Sequence, residues 1–200
     1  MLPKENEKLD PRVKRTRLGI EQAFIKLVRE KGFSNMSVQD VTEQAGINRA
    51  TFYAHYSDKY ALLNHAIGQS FRQEIDKRML NACHFTPDNL RSLVMAVCEF
   101  VDEVHGHCAA TEQQFQALVE AQVRCQIHEL LSHWLEKMDL GENLRTARIT
   151  PERIATAASW AIYGLAVEWN HAKGMPPIEQ YADEVMPLVS ASFGLRLELA

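Results

Sequence analysis

Apolar residues recur along this chain at three- and four-residue spacing, almost without interruption. Ile20, Phe24, Leu27 and Val28 fall at i, i+4, i+7 and i+8, one face of a helix. Gly32 stands just past that helix, where a stop is expected. Ser37, with Asp40 three residues later, has the form of a capping box. A second helix is predicted from there, with Val38, Val41 and Ala45 turned inward and Gly46 as its end. Only Gly46-Ile47-Asn48 separates it from the next segment, Arg49 to Tyr56. Ser57-Asp58 then caps a longer helix reaching about Leu80. Pro87-Asp88 opens another, carrying Leu90, Leu93, Val94, Val97 and Val101 and ending near Gly106. Phe115 to Met138 is amphipathic throughout, and Gly141 to Thr150 is a polar loop. Pro151 sits at a first helical position, with a helix following to about Lys173. Pro176-Pro177 starts the last helix, to about Leu197, with Pro187 expected to kink it.

No strand pair, internal repeat or low-complexity segment interrupts this pattern. The fold class is therefore all-α, with about nine helices. An N-terminal three-helix unit with a helix-turn-helix is expected over residues 1–60, and a helical bundle over 61–200.

Composition narrows the class further. The chain has 200 residues, 46% hydrophobic and 24% charged, which excludes disordered, collagenous and coiled-coil-only readings. The longest uncharged apolar stretch, Ile154 to Val167, is too short to span a bilayer. The charged N-terminus has no apolar core, so no signal peptide is expected and no membrane association. Cys83, Cys98, Cys108 and Cys125 show no CxxC spacing and are expected to be reduced thiols in the cytoplasm.

The charge is divided along the chain. Residues 1–60 carry 11 Lys and Arg against 8 Asp and Glu, a net of +3; residues 61–200 carry a net of −7. A basic head on an acidic body points to a polyanion partner for the head alone. Two short helices joined by a Gly-containing turn, Ser37 to Tyr56, have the layout that offers a helix N-terminus to a DNA major groove. Asn48, Arg49, Ala50, Thr51, Ala54 and His55 would then face base edges. Arg can fork onto guanine, and Asn onto adenine. Tyr53, Lys59 and the backbone N–H groups above Ser37 suit phosphate oxygens.

A longer pattern supports this. It runs Thr16-Arg17-x-x-Ile20-x-x-Ala23, then Gly32-Phe33-x-x-Met36-Ser37-Val38-x-Asp40-Val41-Thr42-x-x-Ala45-Gly46-Ile47. It continues Arg49-Ala50-Thr51-Phe52-Tyr53-x-His55-Tyr56-x-Asp58-Lys59-x-x-Leu62-Leu63. From Thr16 to Leu63 the chain resembles the DNA-binding head of the tetracycline-repressor (TetR) family of bacterial regulators. The resemblance implies an all-α homodimer with three DNA-binding N-terminal helices, a body holding a small-molecule pocket, and a four-helix dimer seam. It places Tyr53 and Lys59 at phosphate contacts, Arg49, Thr51 and His55 at recognition positions, and Gln39 where a base is sometimes reached. Ala50, Asn48 and Thr42 depart from the residues common in the family, and this leaves the operator sequence open.

The body is read from its own residues. Ala157, Ala161 and Gly164 form a small-residue face on the Pro151 helix, and Tyr181, Val185, Leu188, Ser192 and Leu195 a face on the last one. These are expected to build the dimer interface. Phe71, Met79, Met95, Phe100, Phe115, Trp134 and Met138, with His65 and Gln122 as polar groups, are candidates for an effector pocket. The Cys and His residues between Cys83 and His133 include Cys125 and His128, three apart on one helix. Their spacings match no standard metal site, so no metal or other cofactor is expected, and a metal- or thiol-responsive regulator is the alternative of the same fold. GxSxG, P-loop, GxGxxG and HExxH motifs are missing, and no catalysis is expected. The sequence thus predicts a repressor that binds a palindromic double-stranded operator and is released by a small-molecule effector. A protein-binding helical module is the rival reading.

Overall fold

A computed structural model of the chain describes residues 10–78, 84–107, 113–138, 149–173 and 175–193, with the side chains of 105–114 excepted. Eight helices occupy these described residues, without a strand: α1 (Pro11–Lys31), α2 (Val38–Ala45), α3 (Arg49–Tyr53), α4 (Lys59–Arg78), α5 (Pro87–His107), α6 (Gln113–Leu135), α7 (Pro151–His171) and α8 (Ile178–Ala191). None is long and apolar enough to cross a membrane.

Local chemistry sets the helix starts. The Asp10 carboxylate accepts from Arg12 N at 2.7 Å, and Pro11 occupies the first turn of α1, where its missing N–H costs nothing. Asp58 accepts from the backbone N–H groups of Tyr60 and Ala61, both at 2.8 Å, at the head of α4. Thr150 caps α7 through Arg153 N. The segment predicted as Arg49 to Tyr56 is helical only to Tyr53. The N–H groups of His55 and Tyr56 both donate to Phe52 O at 2.9 Å, closing the last turn tightly.

The chain divides into two compact units. The first comprises Met1–Ser70 with His105–Val119. Its core holds Ile20, Phe24, Phe33, Met36, Val41, Phe52 and Leu62. Phe33 is its aromatic centre, 6.2 Å from Phe24, 5.3 Å from Tyr60 and 5.8 Å from Phe115 between ring centroids.

The second unit comprises Phe71–Val104 with Glu120–Ala200. Leu90, Leu93, Val97, Ile127, Trp134, Ala158, Ile162, Ala182 and Val189 fill its core. Phe71 meets Phe100 edge to face at 5.2 Å. Arg91 binds Asp183 at 2.6 Å and the carbonyl of Glu179 at 3.0 Å, tying α5 to α8.

One expectation about this unit needs correction. Tyr181 and Val185 are not free for a partner: both are buried, and the Tyr181 hydroxyl donates to Leu165 O and the Glu168 carboxylate. The row drawn through Tyr181, Val185 and Leu188 runs along the border of the buried stripe Tyr181, Ala182, Val185, Met186 and Val189. Only Leu188, 65% exposed, lies beyond that border. Ser192 is half-buried and donates to Val189 O at 2.6 Å, while Leu195 lies outside the described residues. On α7 the small-residue face does look outward: Ala157 and Gly164 are exposed, Ala161 is half-buried, and Trp160 between them is 53% exposed.

Candidate nucleic-acid interface

In the first unit α2 and α3 are joined by a short turn and linked by side-chain hydrogen bonds. The Ser37 hydroxyl accepts from Asp40 N, and Ser37 N donates to the Asp40 carboxylate at 2.7 Å, completing the capping box. Lys31 stands 2.6 Å from the other Asp40 oxygen. The hydrogen bond from Lys31, then those from Ser37, hold the Asp40 carboxyl far below the usual carboxylate range. Gly46 ends α2 at φ 66°, a left-handed conformation that other residues adopt only under strain. Its N–H and that of Ile47 return to Glu43 O and Thr42 O. Asn48 then caps α3: its side-chain oxygen accepts from Thr51 N at 2.7 Å and from the Thr51 hydroxyl at 3.0 Å.

This turn brings Arg49 back over α2. Its Nη2 donates to Gln39 Oε1 at 2.7 Å, and Gln39 Nε2 donates in turn to Glu43 Oε1 at 2.8 Å. Ser37, Gln39, Asn48, Arg49, Ala50 and Ala54 are exposed, and Thr51 is half-buried. Tyr53 is 55% exposed, its ring standing edge-on to the buried Phe52 at 5.5 Å. His55 is half-buried; burial, then the nearby Arg17 charge, lower its pKa. Of the α3 side chains singled out from sequence, Arg49 is thus brought onto Gln39.

Lys59 departs from expectation. Its ammonium donates to the carbonyls of Met36 (2.9 Å), Phe33 (3.1 Å) and Ser34 (3.4 Å), and sits 4.7 Å from the Phe33 ring centroid. It braces the α1–α2 loop instead of standing free for a phosphate. Three carbonyl oxygens converge on one site there, and a cation satisfies them.

His65 and Phe115, expected in an effector pocket of the body, belong instead to the first unit. His65 Nε2 lies 3.0 Å from Glu21 Oε1, which also accepts from the Tyr56 hydroxyl at 3.0 Å. The Arg17 guanidinium lies 5.6 Å from the Tyr56 ring centroid. The remaining pocket candidates lie in the second unit. Phe71, Phe100, Met95 and Trp134 are buried, Gln122 and Met138 half-buried, and Met79 is outside the described residues. Phe85 packs on Trp134 at 6.2 Å. Beside Gln122, sequence reasoning missed Gln126. Its side chain is 5% exposed, and its Oε1 has no hydrogen-bond partner among the described residues.

Of the thiols, Cys98 is fully buried, and burial followed by the Glu99 charge pushes its pKa up to about 12. Cys125 is exposed with its sulfur 3.7 Å from Glu129. No group of three metal-binding side chains gathers among the described residues. Cys83 and the side chains of His105, His107 and Cys108 are outside them.

Residues 22–66 match the family model described as "Bacterial regulatory proteins, tetR family". An uncharacterized HTH-type transcriptional regulator of Bacillus subtilis (strain 168), YxbF, is 39% identical over 79 residues, 38% of this chain and 21% of that protein. The chain thus spans about a fifth of that relative's length. Among solved structures, a TetR-family regulator from Streptomyces coelicolor superposes with a TM-score of 0.61 at 19% identity, covering 93% of this chain and 98% of that one. FadR from Bacillus subtilis, in complex with stearoyl-CoA, gives a TM-score of 0.54 at 13% identity over 88% of this chain and 98% of that one. At such identities the structural likeness speaks to the fold.

Proposed function

We propose that this chain, whose residues 22–66 match the tetR-family model, is a ligand-responsive repressor with a helix-turn-helix DNA-binding head, acting as a homodimer on a palindromic operator. The observation that carries the reading is the exposed Arg49 at the first turn of α3, held beside Gln39 by the Gly46 turn. In this reading Arg49, Ala50, Thr51 and His55 meet base edges, with Gln39 beside them. Tyr53 and the α2 N-terminus at Ser37 take phosphates. Asn48 acts mainly through the cap that starts α3, and Lys59 through the loop it braces.

The homodimer reading rests on the exposed Ala157, Trp160 and Gly164 of α7 and Leu188 of α8. Two heads would then face half-sites about 34–36 Å apart, one DNA turn. An effector in the second unit would release DNA only by binding the released conformation better, since coupling between the two ligands is reciprocal. The FadR complex with stearoyl-CoA shows that this fold admits a small-molecule partner in that protein, and it supports a search for one here.

The test is selection of bound duplexes from a random pool at about 0.15 M salt, where weak phosphate binding is suppressed. A two-fold symmetric site is the expected product. Its absence would overturn the reading in favour of a protein-binding head. With that site in hand, Arg49→Ala should cost about 1–3 kcal/mol at one base pair of each half-site and less elsewhere.

A further inference from the structure

The chain Glu43–Gln39–Arg49 does more than decorate the surface of the head. Gln39 and Glu43 lie four residues apart on α2 and so share a face. Arg49 is the first residue of α3, ten positions after Gln39. Two hydrogen bonds run through the Gln39 amide in one direction. Arg49 Nη2 donates to its oxygen at 2.7 Å, and its nitrogen donates to Glu43 Oε1 at 2.8 Å. An unsupported Gln amide has two rotational settings. Glu43 can only accept, so it fixes the setting in which the amide oxygen faces Arg49. The guanidinium uses one of its five N–H groups on Gln39, leaving a two-pronged edge for a partner.

The geometry points to Glu43 as a specificity-determining positioning residue: through Gln39 it fixes the fork of Arg49 in the orientation that reads a base pair. This rests on the proposed base-reading role of Arg49. Charge supports it. A carboxylate on a phosphate-facing surface repels the DNA backbone and weakens binding to every sequence equally. It gains a use there only if it sharpens discrimination, which is a difference between affinities. A side chain locked by a supporting hydrogen bond loses less freedom on binding and tolerates fewer wrong partners.

The test uses the 200-residue chain and its selected operator, with the Arg49-dependent base pair identified first by Arg49→Ala. Binding is measured to that operator, to three versions substituted at that base pair, and to a scrambled duplex. Glu43→Ala should reduce the affinity ratio between the preferred and substituted base pairs by roughly 3- to 10-fold, the scale of one hydrogen bond. Its affinity for the scrambled duplex should not fall. Glu43→Gln, which keeps an acceptor oxygen, should recover part of the ratio, and Gln39→Ala should lose as much as Glu43→Ala. Circular dichroism of each variant establishes that the head is folded. If Glu43→Ala raises affinity for all duplexes alike and leaves the ratio unchanged, Glu43 is merely a surface charge and the inference fails. If Arg49→Ala itself leaves every ratio unchanged, the base-reading role fails instead, and the two failures are distinguishable.

Discussion

The hydroxyl of Tyr56 donates to Glu21 Oε1 at 3.0 Å, joining two residues 35 positions apart in the chain. His65 Nε2 lies 3.0 Å from the same oxygen, so one carboxylate on α1 holds the turn after α3 and α4 together. Burial by itself would raise the pKa of Glu21. The hydrogen bonds from His65 and Tyr56, then the charges of His65 and Arg17, more than offset it, and the net direction is downward.

The consequence for pH has a definite sign. The folded pKa of Glu21 lies below its ordinary value of 4.5, so the unfolded chain holds more protons around and below that pH. The stability contributed by Glu21 is complete above about pH 4.5 and is lost as pH falls through the folded value. Denaturant unfolding of the wild type between pH 3 and 7, roughly the carboxylate range, should show this acid-side loss. Glu21→Gln should lower stability by about 1–3 kcal/mol at neutral pH and flatten the acid-side slope. An unchanged slope would show that another carboxylate dominates it.

The parts of this head that were legible in the sequence are those governed by local chemistry. Ser37 with Asp40, and Gly46 at the helix end, announce α2 because capping involves residues a few positions apart. Periodicity identifies a buried stripe but not its border, so it does not separate Tyr181 and Val185 from the outward Leu188. Their neighbours on α7 decide that they are covered. His65 and Phe115 fall outside the second unit for a related reason: their partners are 44 and 82 residues away. Glu43 resembled any surface acid until the Gly46 turn returned Arg49 to α2.

Lys59 offers a test that separates bracing from phosphate binding. Lys59→Met removes the ammonium from three carbonyls and should lower head stability by about 1–3 kcal/mol, read as a fall in thermal midpoint. Below that midpoint the slope of log K against log salt for operator binding should be unchanged. A slope smaller by about one unit would mean that the ammonium leaves the loop for a phosphate on binding.

The thiols should differ sharply in reactivity. With a pKa pushed up to about 12, Cys98 has only about one thiolate in ten thousand at pH 8, and it is sealed from solvent. Cys125 is exposed, though burial of its sulfur and the neighbouring Glu129 charge raise its pKa as well. Native alkylation with iodoacetamide, followed by site-resolved mass spectrometry, should label Cys125 slowly and Cys98 only after unfolding. Rapid labelling of Cys98 in the native protein would reveal opening of the second-unit core.

Gly19 should be improvable, because it sits inside α1 and a Cβ built there meets nothing within 4 Å. Gly19→Ala removes backbone freedom from the unfolded chain and should stabilise by about 0.5–1 kcal/mol, measured by denaturant titration. A loss of stability would show that α1 is not a plain helix at that position.

The proposed homodimer can be tested at the outward face of α7. Trp160 lies exposed between Ala157 and Gly164, with the Arg124 guanidinium 3.4 Å from its ring centroid. A Cβ at Gly164 meets nothing within 4 Å, so within one chain the space at that position is open. Small residues at Ala157 and Gly164 allow another helix to approach closely beside the Arg124-covered indole. If this strip is the seam of a homodimer, Ala157→Glu forces a charge into it without disturbing the chain's own core. An unpaired buried charge costs about 3–5 kcal/mol, so the dimer dissociation constant should rise more than roughly a hundredfold. Sedimentation velocity would then find a dimer for the wild type and a folded monomer for the variant. The operator should report the same change: a monomer engages one half-site at a time, and the advantage of a full palindrome over a half-site should disappear. A variant that remains dimeric would move the seam away from α7. A variant that becomes monomeric yet keeps the full-site advantage would mean that the two heads are coupled through the DNA.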